Sequence, residues 1–347
     1  YQLLSEWNVD HSLLRAINTR AAYTDYTHAE IEDGVVGTTF SNKTTELRLD
    51  LLHQDFIGWR GGINLHYKQS KIAAEGAEAF APPATAQTFA AAFIEERHFG
   101  DVLLQLGARV ERVNISADDL LLPHLEVHRH DEEEGGHGDS DAVTRVFAVE
   151  QEFTPVSVSA GAVWDFRSGY NVGLALSRSQ RAPSAAELMS FGPHIGARTY
   201  EVGALFTLPA TGEPEFDLNR AALDLETANN VDLTFRKHEG DIGIIINAFY
   251  NRIDNYYYQQ STGLFAEGAH HHGHDHGGDA HEDELPVYLF TSNDVELLGF
   301  EGQVIWEINS NFKTTAFSDY VRAELHSGEY LPRQSPHRFG LTFDYEW

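Results

Sequence analysis

Two segments of the chain combine histidines with acidic side chains at spacings that could bind a metal ion. The first histidine tract spans residues 124–137 and the second spans residues 270–284. Together they contain ten of the 19 histidines. A neutral imidazole beside a carboxylate is a ligand set that Zn²⁺ and other borderline divalent ions prefer. The candidate ligands are His124, His128, His130 and His137 in the first tract, and His270, His271, His272, His274, Asp275, His276, His281, Glu282, Asp283 in the second.

Each tract also has an alternative interpretation without a metal. The second tract is Gly-spaced and acidic, so it could be a solvated low-complexity loop that binds metals only incidentally. The first tract contains three consecutive glutamates at 132–134, which could be a solvated charge cluster. We expect both tracts to lie in long loops on the same side of a β-barrel. A flexible loop there would bind Zn²⁺ weakly and exchange it quickly, as capture requires.

Composition excludes several classes of function. There are 24 Lys and Arg residues against 53 Asp and Glu residues, a net charge of −29 that repels nucleic acid and attracts cations. The absence of cysteine excludes disulfides and thiolate metal sites. The sequence contains no run of 18 apolar residues, so it predicts no transmembrane helix. No signal peptide is visible and residue 1 does not look like a natural start, so we expect a mature or truncated piece.

Alternation of apolar and polar residues predicts strands along most of the chain. Neighbouring side chains of a strand point to opposite faces, so each such segment has one apolar and one polar face. Clear examples are residues 46–51, 101–111, 231–236 and 338–345. A soluble antiparallel sheet gives the same alternation. Here the polar face is unusually charged and the strands reach about ten residues, which favours lipid on one side and water on the other.

The spacing of about twelve predicted strands indicates a barrel in which long and short connections alternate. The predicted strands are 15–31, 43–55, 59–69, 88–98, 101–113, 146–166, 170–180, 222–237, 241–254, 292–308, 312–325 and 337–347. The predicted long connections are 32–42, 70–87, 114–145, 181–221, 255–291 and 326–336. In an up-and-down barrel every long connection then falls at one end, as in outer-membrane barrels. We therefore predict an all-β, transmembrane antiparallel β-barrel rather than a Greek-key sandwich.

Five segments in order resemble the boxes of TonB-dependent outer-membrane receptors. Arg181-x-Pro183-x-x-x-Glu187-Leu188 resembles the first of these boxes. The other four are residues 225–232, 248–255, 293–301 and 331–338. The resemblance implies a Gram-negative outer-membrane receptor, embedded in the lipid bilayer and powered through the TonB complex of the inner membrane. It gives no role to nucleic acid and no enzymatic activity.

Receptors of this family have a 22-stranded barrel plugged by an N-terminal domain. The plug is not found here, so residues 1–347 are expected to be a partial barrel domain, a middle section of the complete barrel. The alternative is a free-standing 12-stranded barrel, with Trp347 as its aromatic end.

Within the family, the histidine tracts point to the zinc-uptake branch. Gly192-Pro193-His194 and Thr199-x-Glu201-x-Gly203 resemble one loop of that branch, and residues 76–82 resemble an earlier loop. The resemblance implies that Glu78 and His194 are barrel-side ligands of a deeper zinc site that plug residues complete. For Arg181 and Glu187 we expect a structural ion pair.

Other functions stay open at this point. A haem receptor could use a loop histidine such as His194 to ligate iron, and nickel or copper could replace zinc because the ligand set does not exclude them. A passive barrel or adhesin would need no energised transport. Enzymes are disfavoured because neither a Gly-x-Ser-x-Gly elbow nor a His-Glu-x-x-His helix is present.

Overall fold

A computed structural model of the chain describes residues 1–9, 11–32, 34–76, 79–129, 144–209, 214–219, 221–267 and 284–347. Nineteen strands, one α-helix and one 3₁₀ helix form in these ranges. The strands are β1 (Gln2–Asn8), β2 (Leu14–Glu32), β3 (Val35–His53), β4 (Arg60–Gly76), β5 (Ala84–Phe99), β6 (Val102–Leu122), β7 (Val127–His128), β8 (Arg145–Phe153), β9 (Val156–Arg167), β10 (Tyr170–Arg181), β11 (Phe191–His194), β12 (Thr199–Val202), β13 (Phe206–Thr207), β14 (Asp217–Leu218), β15 (Glu226–Lys237), β16 (Ile242–Glu267), β17 (Glu284–Asn309), β18 (Phe312–Leu325) and β19 (Arg338–Tyr345). The helices are α1 (Ala185–Met189) and the 3₁₀ turn Ile195–Ala197. Within the described ranges, no helix has the length and apolar character needed to cross a bilayer.

The long strands form one antiparallel meander in which each strand pairs with the next along the chain. β8 and β9 act as one strand, because both pair with β6 and only Thr154 and Pro155 separate them. Proline cannot donate to a ladder, which explains the break. Twelve strands were predicted and thirteen form, since β1 also pairs with β2. Among the described residues no pairing joins β1 to β19.

The two ends of the meander differ in their connections, as predicted. Six tight turns lie at one end, which we call the turn end, at residues 9–13, 54–59, 100–101, 168–169, 238–241 and 310–311. The connections after β4, β6, β10, β16 and β18 lie at the opposite end, the loop end. This sorting is the pattern of outer-membrane barrels.

The predicted long connection at 32–42 is wrong. β2 and β3 continue past the expected boundary, and their pairing reaches Glu32 opposite Val35. The strands β4, β6 and β16 also run further toward the loop end than predicted, to Gly76, Leu122 and Glu267. Where a strand extends beyond the membrane, both of its faces can be polar. Its backbone can then stay paired although the apolar and polar residues no longer alternate, so the sequence pattern does not reveal the strand.

One face of the sheet is apolar and exposed. On β5 and β6 it carries Phe89, Phe93, Leu106 and Val110, which are 38–57% exposed. At about 25 cal/mol per Å² such a surface is costly in water but stable against acyl chains. We call it the apolar face.

The opposite, polar face carries hydrogen-bonded charges. Arg48 Nε lies 3.0 Å from Asp50 Oδ1, His66 Nε2 lies 3.0 Å from Glu46 Oε1, and Arg109 pairs with Glu111. An apolar outside and a charged inside are the arrangement of a barrel wall around a watery lumen.

The largest buried core lies at the loop end, on the side of the polar face. Ile115 and Ala117 belong to the core and continue the β6 row that contains Arg109 and Glu111. Residues of the connection 182–225, including the fully buried Leu188, pack against this row. The connection therefore folds inward across the lumen mouth, and this packing holds the candidate site in place.

Candidate metal site at the loop end

A small hairpin within the 182–225 connection, residues 191–202, carries the predicted ligand His194. β11 and β12 pair with Gly192 opposite Glu201 and His194 opposite Thr199. Cross-strand partners share a face, so His194 and Glu201 project from the same side. β12 also pairs in parallel with β17, with Glu201 beside Tyr288. This second pairing anchors the inner hairpin, as we name it, to the barrel wall.

Within the inner hairpin, His194 and Glu201 form a hydrogen-bonded pair. His194 Nδ1 lies 2.9 Å from Glu201 Oε1, and Thr199 Oγ1 donates to the same oxygen at 3.4 Å. Because a carboxylate accepts, Nδ1 carries the proton and Nε2 keeps its lone pair. The Glu201 side chain is 9% exposed and that of His194 is 37% exposed. A histidine whose other nitrogen is held by a carboxylate is the usual form of a metal ligand.

The connection between β4 and β5 packs onto the inner hairpin. Phe191 N donates to Phe80 O at 2.7 Å, and the Phe80 ring stacks on His194 with centroids 4.5 Å apart. A Cβ at Gly192 would lie 2.8 Å from Ala79 O and from Phe80 Cα, so this close approach needs glycine. The two loops that contain Glu78 and His194 are thus in contact.

The predicted ligand Glu78 lies outside the described residues. Its neighbour Ala79 is the residue against Gly192, two positions before His194. The role of Glu78 as a ligand therefore stays a prediction.

The described residues of the two histidine tracts also lie next to each other at the loop end. β7 pairs with β16, which sets His128 opposite Phe265, and the β16–β17 ladder continues to Glu267 opposite Glu284. His128 Nε2 lies 3.1 Å from Glu284 Oε1. An imidazole of the first tract thus pairs with the last carboxylate of the second. His128 and Glu284 thus lie at the same end of the sheet, while the placement of the remaining tract residues stays a prediction.

Most of the predicted tract ligands are not described by the structure. His124 is exposed, between the end of β6 and the start of β7. The ligands outside the described residues are His130, His137, His270, His271, His272, His274, Asp275, His276, His281, Glu282 and Asp283. In the part of the chain that is described, no group of three or more His, Asp or Glu side chains could hold a metal ion. Of the predicted ligands that are described, His194 pairs with Glu201 and His128 pairs with Glu284.

The predicted ion pair of Arg181 and Glu187 is confirmed and includes a third residue. Arg181 Nη1 lies 2.9 Å from Glu187 Oε2, and its Nη2 lies 2.6 Å from Glu226 Oε2. Ser184 and Glu187 form a reciprocal capping box that begins α1. Glu226 was missed as a partner, although it lies in the second family box. The cluster fixes both ends of the 182–225 connection to the wall.

We expect Arg181→Met to lower stability by about 1–3 kcal/mol at pH 7, because two partly buried carboxylates lose their cation. Burial raises the pKa of Glu187, but the hydrogen bonds from Arg181 and Ser184 outweigh it and hold that pKa below the usual value of 4.5. A lowered folded-state pKa stabilises above the unfolded-state value and is lost as pH falls below it. Thermal unfolding of the full-length protein in detergent should therefore show a wild-type advantage at pH 7 that shrinks near pH 4.

A matched control is Arg338→Met, which removes a pair between exposed Arg338 and Asp319 at 2.9 Å. An exposed pair contributes little to stability, so the unfolding temperature of this variant should barely change. Equal effects of the two substitutions would show that the Arg181 cluster has no special role.

Comparison with known proteins finds one matching family model and several solved structures of similar fold. A family model described as "TonB dependent receptor-like, beta-barrel" matches residues 1–347. Among solved structures, the chain is similar to the copper transporter OprC, with TM-score 0.67 and 13% identity over 99% of this chain and 48% of that one. It is also similar to the FrpB iron transporter from Neisseria meningitidis, with TM-score 0.62 and 10% identity over 100% of this chain and 48% of that one.

A third similar structure is the Serratia marcescens hemophore receptor HasR in complex with its hemophore HasA and heme. Its TM-score is 0.60, with 12% identity over 96% of this chain and 51% of that one. The chain spans about half the length of the solved structures it matches. At these identities the likeness concerns the fold.

Proposed function

Because the chain belongs to the β-barrel family of TonB-dependent receptors, we propose that it forms part of an outer-membrane receptor that imports Zn²⁺. Residues 1–347 supply barrel wall and loops. A plug domain elsewhere in the full-length protein completes the site, and the TonB complex of the inner membrane powers release. Members of the family are outer-membrane β-barrels of Gram-negative bacteria, and a net charge of −29 favours a cationic cargo.

The observation that carries the proposal is the hydrogen bond between His194 and Glu201. It orients the imidazole and leaves Nε2 available, which is the preparation expected of a zinc ligand. Among the described residues no side chain hydrogen-bonds to Nε2. Glu78, carried by the loop that packs on the inner hairpin, is the proposed second ligand, and plug residues would supply the others.

The histidine tracts act before this site, in capture from outside. The carboxylate of Glu284 and the imidazole of His128 stand where the tracts leave the sheet, 3.1 Å apart. Imidazoles and carboxylates beyond this base would bind Zn²⁺ in several combinations, each weak and rapidly exchanging. The 79–83 segment and the inner hairpin lie at the same end, so an ion released by the tracts would meet His194 next.

Haem is the second candidate cargo. The observation that favours it is the Phe80 ring stacked on His194 at 4.5 Å, with Phe40 a further 6.4 Å away. An aromatic wall beside an available imidazole nitrogen could hold a porphyrin with axial ligation. One neighbour of similar fold was solved with heme bound, although the fold alone does not assign cargo.

Parallel titrations of the full-length receptor distinguish the two cargoes. We expect Zn²⁺ to bind with a calorimetric signal that a chelator reverses. We expect haem to give no Soret shift that depends on His194. A haem Soret shift abolished by His194→Ala, together with no Zn²⁺ binding, would overturn the zinc proposal in favour of haem. Competition with Cu²⁺ and Ni²⁺ in the same assay measures the relative affinities of the receptor for the three ions. Sites with nitrogen and oxygen ligands generally bind Cu²⁺ most tightly.

A further inference from the structure

A pair of ionisable side chains lies on the apolar face, close to its turn end. His53 Nε2 is 2.6 Å from Glu95 Oε1, although the two residues lie on β3 and β5, separated by β4. The Glu95 side chain crosses over Gly61, where a Cβ would lie 2.8 Å from the carboxylate. Glycine at this position therefore makes the pair possible.

The hydrogen bonds of this pair are incomplete. Both ring nitrogens of His53 face oxygen acceptors, namely Gln54 O and Glu95 Oε1. Glu95 is only 7% exposed, and its second oxygen, Oε2, is buried without a hydrogen-bond partner. A buried acceptor without a hydrogen bond destabilises the structure, and the effect is larger when the acceptor is charged. A donor that reached Oε2 would recover that free energy.

Glu95 lines a groove that leads to this position. The groove has a volume of about 610 Å³ and is otherwise mostly apolar, with Leu13, Phe56, Phe93 and Leu106 among its walls. It lies close to the turn end, since β5 ends at Phe99. Trp59 also lines it, and aromatic residues near strand ends mark the level of lipid headgroups.

Arg97, two residues after Glu95 on β5, lies on the same face, and no carboxylate among the described residues pairs with it. The guanidinium of Arg97 lies 4.6 Å from the centroid of Phe99 and 6.0 Å from that of Trp59. No ion pair among the described residues includes Arg97. Stacked arginine keeps its N–H donors for a planar or tetrahedral anion such as phosphate. The face thus offers an acceptor for one ammonium and a donor for one phosphate, beside apolar walls.

We propose that this headgroup site, formed by Glu95, His53 and Arg97, binds a phosphatidylethanolamine molecule of the membrane leaflet at the turn end. The primary ammonium donates to Glu95 Oε2, the phosphate accepts from Arg97, and acyl chains lie along Phe93 and Leu106. Anionic lipid without an ammonium would satisfy Arg97 only. The site lies on the outer face, so it is independent of the cargo that the receptor carries.

Native mass spectrometry of the full-length receptor tests this assignment. The receptor is released from detergent with added phosphatidylethanolamine, phosphatidylcholine or phosphatidylglycerol of identical acyl chains. Phosphatidylcholine carries three methyl groups in place of the N–H donors and is the matched control lipid. We expect phosphatidylethanolamine to bind about tenfold more tightly than either, the value of one charge-assisted hydrogen bond.

Single substitutions test which side chains cause the preference for one lipid over another. Glu95→Gln should abolish the preference for phosphatidylethanolamine over phosphatidylcholine, while Arg97→Gln should weaken both lipids alike. Glu96→Gln is the control, because Glu96 points to the opposite face and accepts from Gln105 at 3.2 Å. Equal binding of the two lipids by wild-type receptor would overturn the proposal without any variant. A preference that survives Glu95→Gln, or one that Glu96→Gln also removes, would overturn it as well.

Discussion

Replacing His194 with alanine should weaken Zn²⁺ binding at the inner hairpin more than about 100-fold, because it removes a ligand and not merely its support. Glu201→Gln should cost less, about 10–100-fold, which is the usual effect of losing an outer-shell partner. The amide can still contact Nδ1 but no longer supplies a negative charge. The order of the two effects is as informative as their size.

The measurement is chelator competition on the full-length receptor, which isolates the tight site from the weak tracts. His238→Ala is the matched control, since His238 is exposed at the turn end, where no metal is expected. If Glu201→Gln cost more than His194→Ala, the carboxylate would be the ligand and the histidine its support. Unchanged affinity in both would remove the inner hairpin from the zinc path.

Acidification should weaken Zn²⁺ binding steeply. A protonated imidazole cannot ligate, so each histidine ligand with the ordinary pKa of about 6.5 should cost roughly tenfold between pH 7.5 and pH 5.5. Two histidine ligands would then cost about 100-fold. The logarithmic slope of affinity against pH counts the imidazoles that bind.

The fold should survive this pH range, which makes the result interpretable. The pKa of Glu187 is lowered below 4.5, so Glu187 keeps its charge beside Arg181 at pH 5.5. Calorimetry across the range, with circular dichroism on the same samples, separates ligand protonation from unfolding. An affinity independent of pH between 7.5 and 5.5 would contradict ligation by histidine.

Alternation predicted the barrel wall well where one face meets lipid and the other meets water. The β6 segment is an example, since its apolar row and its charged row could be assigned before any coordinates. The strand bounds were wrong where the two faces no longer differ in polarity. Residues 35–42 of β3 are paired strand, yet their side chains give no alternation to read.

The candidate site was predictable in part. The family loop motif singled out His194, whose role stays a prediction, and the structure confirms the expected ion pair of Arg181 and Glu187. The contact of Phe80 with the inner hairpin was not predictable, because it joins residues more than 100 positions apart without a shared pattern. Glu226 and the His128–Glu284 pair were missed for the same reason, since each depends on the ladder register of distant strands.

The most direct test of metal capture at the loop end is the zinc stoichiometry of the full-length receptor with and without the second tract. Residues 268–283 would be replaced by a Gly/Ser linker of equal length, and both proteins would be titrated calorimetrically at pH 7.5. We predict that the weak, rapidly exchanging component shrinks to the part that the first tract supplies, while the tight site at His194 remains. Identical isotherms for the two proteins would contradict the proposal that these imidazoles capture the ion.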